Sequence, residues 1–373
     1  MKILLATGIY PPESGGPATY SRALAASLVE RGNQLTVITY GDAKTERTEA
    51  WAIRVIPRSG GPLWRYLKYA WRVFFEARTA DIVYLQGTVS EGLPATIGAI
   101  LAGRPTAMRV PGDYAWEIYQ QRVKNPELLD AFLQKRHSGR IRWLEHIERW
   151  TAKHASSVIT PSEYLKRVAM SWGVPESKIH VVLNTVNPLP SGGDPTGVRS
   201  VYHLEHATVL LSVARAVPWK GGKFLLRVLK QLPDSYYLVW AGDGPACLEW
   251  EAYAKELGIE SRVFFLGRVS RNDLASWYHT ADIFLLASGY EGYPFVVSEA
   301  ASAGLPCFVS DKGGNPETKN DFPEHVEVLP YENEGAWLQA LQTLPTKKNP
   351  AKLRPWSRVV DGTFTALQSV CES

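Results

Sequence analysis

Cysteine is scarce, with only Cys247, Cys307 and Cys371 in 373 residues, an odd set without metal-ligand spacing. That argues against a disulfide framework or a cysteine-bound metal. No apolar run reaches the roughly 20 residues needed to span a bilayer, so no transmembrane helix is expected. Met1 to Gly8 is apolar but runs straight into a loop and an amphipathic helix, and reads as a first strand rather than a leader. Gly-x-Gly-x-x-Gly is absent, which argues against a nicotinamide enzyme. Asp-x-Asp is absent too, as are internal repeats and low-complexity tracts. These absences leave an expected cytoplasmic location.

What remains is ordinary for a globular protein, 45% hydrophobic and 21% charged. The length exceeds what one core usually serves, so two domains are expected. Apolar runs alternate with helical patterns throughout, which calls for parallel sheets covered by helices. In the first half the strands are Lys2–Thr7, Leu35–Tyr40, Asp81–Leu85, Thr106–Val110 and Ser157–Thr160. A helix over Ala18–Arg31 ends at Gly32, and the turn-rich stretch Asn184–Pro195 reads as a linker. Strands at Thr208–Val213, Tyr236–Ala241, Val263–Leu266, Asp282–Ala287 and Pro306–Ser310 begin a second alternation.

The most specific segment is Ser288-Gly289-Tyr290-Glu291-Gly292-Tyr293-Pro294-Phe295-Val296-Val297-Ser298-Glu299. Pro294 suits the first turn of a helix. Glu291 then lies on the strand-end loop and Glu299 in the second helical turn. Between them, backbone N–H groups and the positive helix end form an anion site. Carboxylates for hydroxyls and amides for phosphates together describe a nucleotide-sugar site.

This segment resembles the Glu-x7-Glu signature of retaining glycosyltransferases of family 4 (glycosyl transferases group 1). The resemblance implies a GT-B fold, two Rossmann-like α/β domains facing across a deep cleft. An acceptor domain would span 1–187 with a returning C-terminal helix at 355–373, and a donor domain 188–354. Other segments match in family order. Gly15 and Gly16 follow the first strand, where bare backbone would approach a phosphate or sugar closely. Arg215 and Lys220 match the Arg-x4-Lys pair that grips the donor diphosphate. Such fixed cations would stabilise the leaving oxygens by about 3–4 kcal/mol each, judged from oxyanion holes. The glycine turn at Gly242 shapes the cleft, and the backbone near Arg268 and Val269 meets the base. Glu299 would hold the ribose hydroxyls. Glu291 would hold the transferred sugar or the reacting centre, as a catalytic residue, and Gly292, Tyr293, Pro294, Phe295 and Val296 would belong to the same donor site.

Two departures stand out. The family's donor-contacting histidine is missing from Arg109-Val110-Pro111-Gly112-Asp113-Tyr114. Asp113 is the nearest polar candidate, either binding a sugar hydroxyl or taking an acceptor proton, or capping a helix. The linker carries Asn184-Thr185-Val186-Asn187 where the family has Asn-Gly-Val-Asp.

The first half is basic and aromatic. Trp51 to Lys153 holds sixteen Lys/Arg against nine Asp/Glu. Residues 64–78 would form a helix of bulky aromatics with Arg65, Lys68 and Arg72 at spacings of three and four. It suits either a membrane interface or a core-facing helix with solvated cations. Arg140, Arg142, Trp143, Arg149 and Trp150, within 136–150, tilt the balance toward the membrane. No nucleic-acid module is present.

The expected activity is metal-independent, cofactor-free transfer from a UDP- or GDP-sugar to a saccharide acceptor with retention. The acceptor is expected to be lipid-linked, at the inner face of the cell membrane, in cell-surface polysaccharide or glycolipid assembly. The alternatives are a non-catalytic nucleotide-sugar binder and a membrane-docking scaffold on the same fold.

Overall fold

The structure, a computed structural model, describes residues 1–13, 16–41, 49–123, 126–186, 188–190, 194–343 and 345–372. Contacts divide the chain into two units, Met1–Leu183 with Ser357–Ser373, and Asn184–Trp356.

The first unit holds β1 (Lys2–Thr7), β2 (Gln34–Tyr40), β3 (Ala52–Ile56), β4 (Ile82–Leu85), β5 (Thr106–Arg109), β6 (Ser157–Thr160) and β7 (Ile179–Val181). They form one parallel sheet ordered β3-β2-β1-β4-β5-β6-β7. Strands β4, β5 and β6 are buried along their whole length, as a sheet covered on both faces requires. The edge strand β3 is only half-buried, and its Arg54 pairs with Glu76 at 2.9 Å. The C-terminal helix Trp356–Cys371 packs on this unit, burying Val359, Val360, Thr363, Ala366 and Leu367. Its Asp361 meets Arg31 at 2.6 Å.

The second unit holds β8 (Thr208–Val213), β9 (Tyr236–Ala241), β10 (Val263–Gly267), β11 (Ile283–Leu286), β12 (Cys307–Ser310) and β13 (Val326–Leu329), ordered β10-β9-β8-β11-β12-β13. Successive strand side chains point to opposite faces. Leu210, Leu238 and Leu285 therefore join Phe224, Trp240, Trp250 and Trp337 in one core layer. Val209, Leu211, Phe284 and Leu286 join Trp277, Tyr278 and Cys307 in the other. The chain thus has two Rossmann-like lobes and a separate C-terminal helix, as the sequence leads one to expect.

Several boundaries differ from the sequence reading, three helix starts among them. The first helix runs Gly16–Glu30. Pro294 sits at the N-cap of the helix Phe295–Ser302, one residue outside its first turn. Pro195 opens the helix Pro195–Val201, where Asp194 accepts from the Gly197 N–H at 2.9 Å, so the linker is shorter than expected. Asp and Pro suit those two helix positions.

The helix Pro62–Ala77 departs from the core-facing reading. It buries Tyr69, Val73 and Ala77. Its large apolar side chains lie on the other face, with Leu63, Trp64, Leu67, Trp71 and Phe75 between 45% and 75% exposed. The neighbouring helix Gly92–Leu101 packs close because a side chain at Gly98 would come within 2.5 Å of the Ala70 carbonyl oxygen. It adds exposed Ile97, Ile100 and Leu101. Among the described residues, no helix is long and apolar enough to cross a membrane.

Candidate active site

The strand order of the second sheet reverses between β8 and β11. In open α/β sheets, ligands bind at such a switch point, beyond the strands' carboxyl ends. Two loops leave there, one after β8 carrying Arg215 and Lys220, the other after β11 carrying Ser288 and Glu291.

Local backbone chemistry brings these loops together. Gly221 is left-handed at φ 78, and a Cβ there would fall 2.4 Å from the Ala287 carbonyl oxygen. Only glycine meets both demands cheaply. Gly289 N–H donates to the Trp219 carbonyl at 2.7 Å. Lys220 Nζ then donates to Glu291 Oε1 at 2.5 Å, and Ser288 Oγ donates to the same oxygen at 2.7 Å. The two charged side chains are only 16% and 15% exposed. So shielded a pair is costly to break, because the surviving charge would be left without a partner.

The β12 loop holds the Glu291 backbone. Gly314 N–H donates to the Glu291 carbonyl at 2.8 Å. A Cβ at Gly314 would lie 2.2 Å from the Gly292 carbonyl oxygen. Asn315 Nδ2 donates to Ser310 Oγ at 2.9 Å and to the Ser288 carbonyl at 3.3 Å. Glu291 is thereby fixed through side chain and backbone alike.

Arg215 is exposed and forms no ion pair among the described residues. Its loop rests on the glycine turn, where Ala216 N–H donates to the Asp243 carbonyl at 3.1 Å. A Cβ at Gly242 would come within 2.0 Å of the Ala214 carbonyl oxygen, so Gly242 supports this loop from beneath. Arg268 is exposed and pairs with Asp243 at 3.4 Å, while Val269 packs against the core.

Glu299 is buried. Tyr278 Oη donates to its Oε2 at 3.0 Å, and Arg271 reaches its Oε1 at 3.4 Å. Burial raises its carboxyl above the ordinary range, while Tyr278 and Arg271 act in the opposite direction. The Tyr293 hydroxyl donates to Asp321, which also pairs with Arg354 at 2.6 Å. Its side chain therefore anchors the segment, whereas Phe295 and Val296 stay half-exposed at the helix start. The first N–H groups of a helix have no partner within it, which leaves this end suited to an anion.

In the first unit, Gly16 starts its helix and is exposed, while Gly15 lies outside the described residues. Of the two readings of Asp113, the geometry shows the helix cap: its Oδ1 accepts from the Trp116 N–H at 2.8 Å, and the residue is 1% exposed. Its charge acts on Glu148, a buried carboxyl that accepts from Thr88 Oγ1 at 2.7 Å, Tyr114 N–H at 2.8 Å and Ala115 N–H at 2.9 Å. Burial pushes Asp113 up to about 6 and Glu148 well above its usual range.

A cavity of about 510 Å³ opens at the carboxyl ends of β1 and β4, lined in part by Gly8, Gly87, Thr88, Glu91, Tyr114 and Glu117. Sequence reasoning missed Glu91 and Glu148. A carboxylate just past a buried strand, in Gly87-Thr88-Val89-Ser90-Glu91-Gly92, was the available signal for the first. Nothing marks the second, which lies within an amphipathic helix. Among the described residues, no three His, Cys, Asp or Glu gather as metal ligands.

Comparison with known proteins accords with this geometry. Residues 14–188 match the model of Glycosyltransferase Family 4, and 199–352 that of Glycosyl transferases group 1. An uncharacterized glycosyltransferase of Methanocaldococcus jannaschii is 26% identical over 91% of this chain and 85% of its own. The alpha-monoglucosyldiacylglycerol synthase of Streptococcus pneumoniae is 26% identical over 92% of this chain and 79% of its own. Anabaena HepE, solved in complex with UDP, superposes with a TM-score of 0.71 at 18% identity, covering 100% of this chain and 98% of that one. With the two models matched in succession, the chain belongs to the glycosyltransferase family 4/group 1 superfamily and has the GT-B fold.

Proposed function

We propose that this protein is a retaining, metal-independent glycosyltransferase that moves a sugar from a nucleotide donor, UDP- or GDP-linked, to a saccharide acceptor. The observation that carries the reading is the shielded Lys220–Glu291–Ser288 cluster at the β8/β11 switch point. Lys220 has three N–H donors, and Glu291 takes one of them. The others, with Arg215 and the N–H groups at the start of the helix Phe295–Ser302, are suited to diphosphate oxygens. As the glycosidic bond breaks, negative charge grows on the leaving phosphate, and cations already fixed nearby stabilise it without reorganising. Glu291 holds the transferred sugar and Glu299 the ribose hydroxyls. The new bond forms on the face the phosphate leaves, and that phosphate takes the acceptor's proton. HepE was solved with UDP and with UDP-glucose, which favours UDP here.

The acceptor is lipid-linked, and the protein works at the cytoplasmic face of a membrane in polysaccharide or glycolipid assembly. Support comes from the exposed stripe of Leu63, Trp64, Leu67, Trp71 and Phe75 beside the cations Arg65, Lys68 and Arg72. Trp143 and Trp150 of the helix Gly139–His154 are exposed as well. Aromatics at headgroup level and cations over anionic lipid give such a helix its membrane affinity.

Thermal shift with UDP, GDP, ADP and their sugars tests the donor assignment. A ligand at 100 times its dissociation constant stabilises by about 2.7 kcal/mol. Selective stabilisation by UDP ligands, lost in Lys220→Ala, is expected, and no response to any nucleotide would reject the site.

A further inference from the structure

The cavity at the ends of β1 and β4 has a chemistry of its own. Its charged lining consists of Glu91 and Glu117, and no Lys, Arg or His is among the described residues that line it. Glu91 is 7% exposed, yet its carboxylate reaches the cavity through a niche formed by two glycines. A Cβ on Gly8 would lie 2.7 Å from Glu91 Oε2, and one on Gly87 2.2 Å from Oε1. Neither position tolerates a side chain while the carboxylate stays where it is.

The Ser90 hydroxyl donates to Oε2. No ion pair to Glu91 occurs among the described residues, in contrast with Lys220 on Glu291. Burial pushes the Glu91 carboxyl up, with the Ser90 hydroxyl acting against it. Tyr114 lines the same cavity, and burial raises the Tyr66 phenol, with Arg65 acting against it and the Glu91 charge adding to it. Tyr66 lies on the helix Pro62–Ala77, whose outer face carries the exposed aromatic stripe.

A buried carboxylate with spare lone pairs accepts hydrogen bonds from hydroxyls strongly. It also repels phosphates and carboxylates at short range, since no cation is among the described residues lining the cavity, and Arg65 and Arg140 act on Tyr66 and Tyr114 from outside that lining. We propose that this cavity receives an uncharged saccharide ring of the acceptor, and that Glu91 accepts hydrogen bonds from that ring's hydroxyls while excluding anionic sugars. The inference rests on the glycosyltransferase reading above and names the acceptor class for it. Any phosphate linking the sugar to lipid lies outside this cavity.

The test uses the full chain and two probes that differ in one group, n-octyl β-D-glucoside and n-octyl β-D-glucuronide, as monomers, titrated by calorimetry or saturation-transfer NMR. Wild type should bind the glucoside and discriminate against the glucuronide. Glu91→Gln should weaken glucoside binding by about tenfold or more, the worth of a hydrogen bond to a charged group. It should also narrow the gap between the two probes, which a merely structural role for Glu91 would not do. Gly87→Ala keeps the charge but displaces the carboxylate, and should weaken the glucoside too.

Melting temperature and UDP-glucose binding serve as folding controls. The inference is overturned if wild type binds no glucoside, if it binds both probes equally, or if folded Glu91→Gln binds the glucoside as wild type does. Should one of these occur while UDP-glucose binds and Lys220→Ala abolishes that binding, only the acceptor assignment falls. Should UDP-glucose fail to bind, the donor reading falls, and the glycoside titrations still decide the cavity.

Discussion

The two units place opposite chemistry at equivalent points of similar sheets. Beyond β8 and β11, a cation meets a carboxylate at 2.5 Å and a second cation, Arg215, stands exposed nearby. Beyond β1 and β4, the charged groups lining the cavity are carboxylates alone. A diphosphate needs the first arrangement and a neutral sugar tolerates the second. The difference teaches that similar folds supply crevices of opposite charge, and under the proposed assignments that sign selects the ligand.

The comparison breaks most severely at Lys220. Lys220→Ala should lower transfer by about 10²–10³-fold, as loss of one oxyanion donor does elsewhere. Steady-state kinetics checks this, with melting curves to show that the variant folds, and Lys220→Arg should recover part of the rate. Next in size is Glu299→Gln, which disturbs the Tyr278 and Arg271 contacts. Donor affinity should fall about tenfold, with kcat changed less, because the proposed ribose contact is made in the ground state. Calorimetric titration of UDP measures it.

The outer surface of the first unit gives a third test. Trp64→Ser with Trp71→Ser should weaken binding to vesicles containing anionic lipid by about tenfold or more. UDP binding should remain, since the proposed donor site belongs to the other unit. Vesicle co-sedimentation reads the first quantity and titration the second.

The smallest effect concerns pH. Burial raises the Asp113 and Glu148 carboxyls, so above about pH 4 the folded state holds protons the unfolded chain has released. This contribution to stability is complete below that pH and is lost as pH rises through about 6 for Asp113 and higher for Glu148. Asp113→Asn can still cap the helix, and should flatten the fall in melting temperature between about pH 4 and about pH 6.

Legibility in the sequence followed the same division. The central strands announce themselves as apolar runs because both their faces are buried. The edge strands β3 and β13 mix half-buried and polar positions and leave no such trace. In the second unit, Gly221, Gly242 and Gly314 are demanded by backbone approaches of 2.0–2.4 Å, so glycine pattern and loop position together reveal the site. The comparable approaches in the first unit, at Gly92 and Gly98, both fall on the helix Gly92–Leu101. Asp113 reads equally well as a base or a cap until its contact with Trp116 is seen. The aromatic residues of 64–78 read equally well as core or surface until their exposure is known, because helical periodicity gives a face but not what covers it. Glu91 depends on two glycines far apart in sequence, Gly8 and Gly87, which only the fold brings together.

The measurement that tests the account most directly is amide hydrogen exchange with and without UDP-glucose, in wild type and Lys220→Ala. The account predicts slowed exchange in the segments 214–222 and 288–299 of wild type, and none in the variant. Unchanged exchange in both segments, with protection elsewhere in the second unit or nowhere, would contradict it.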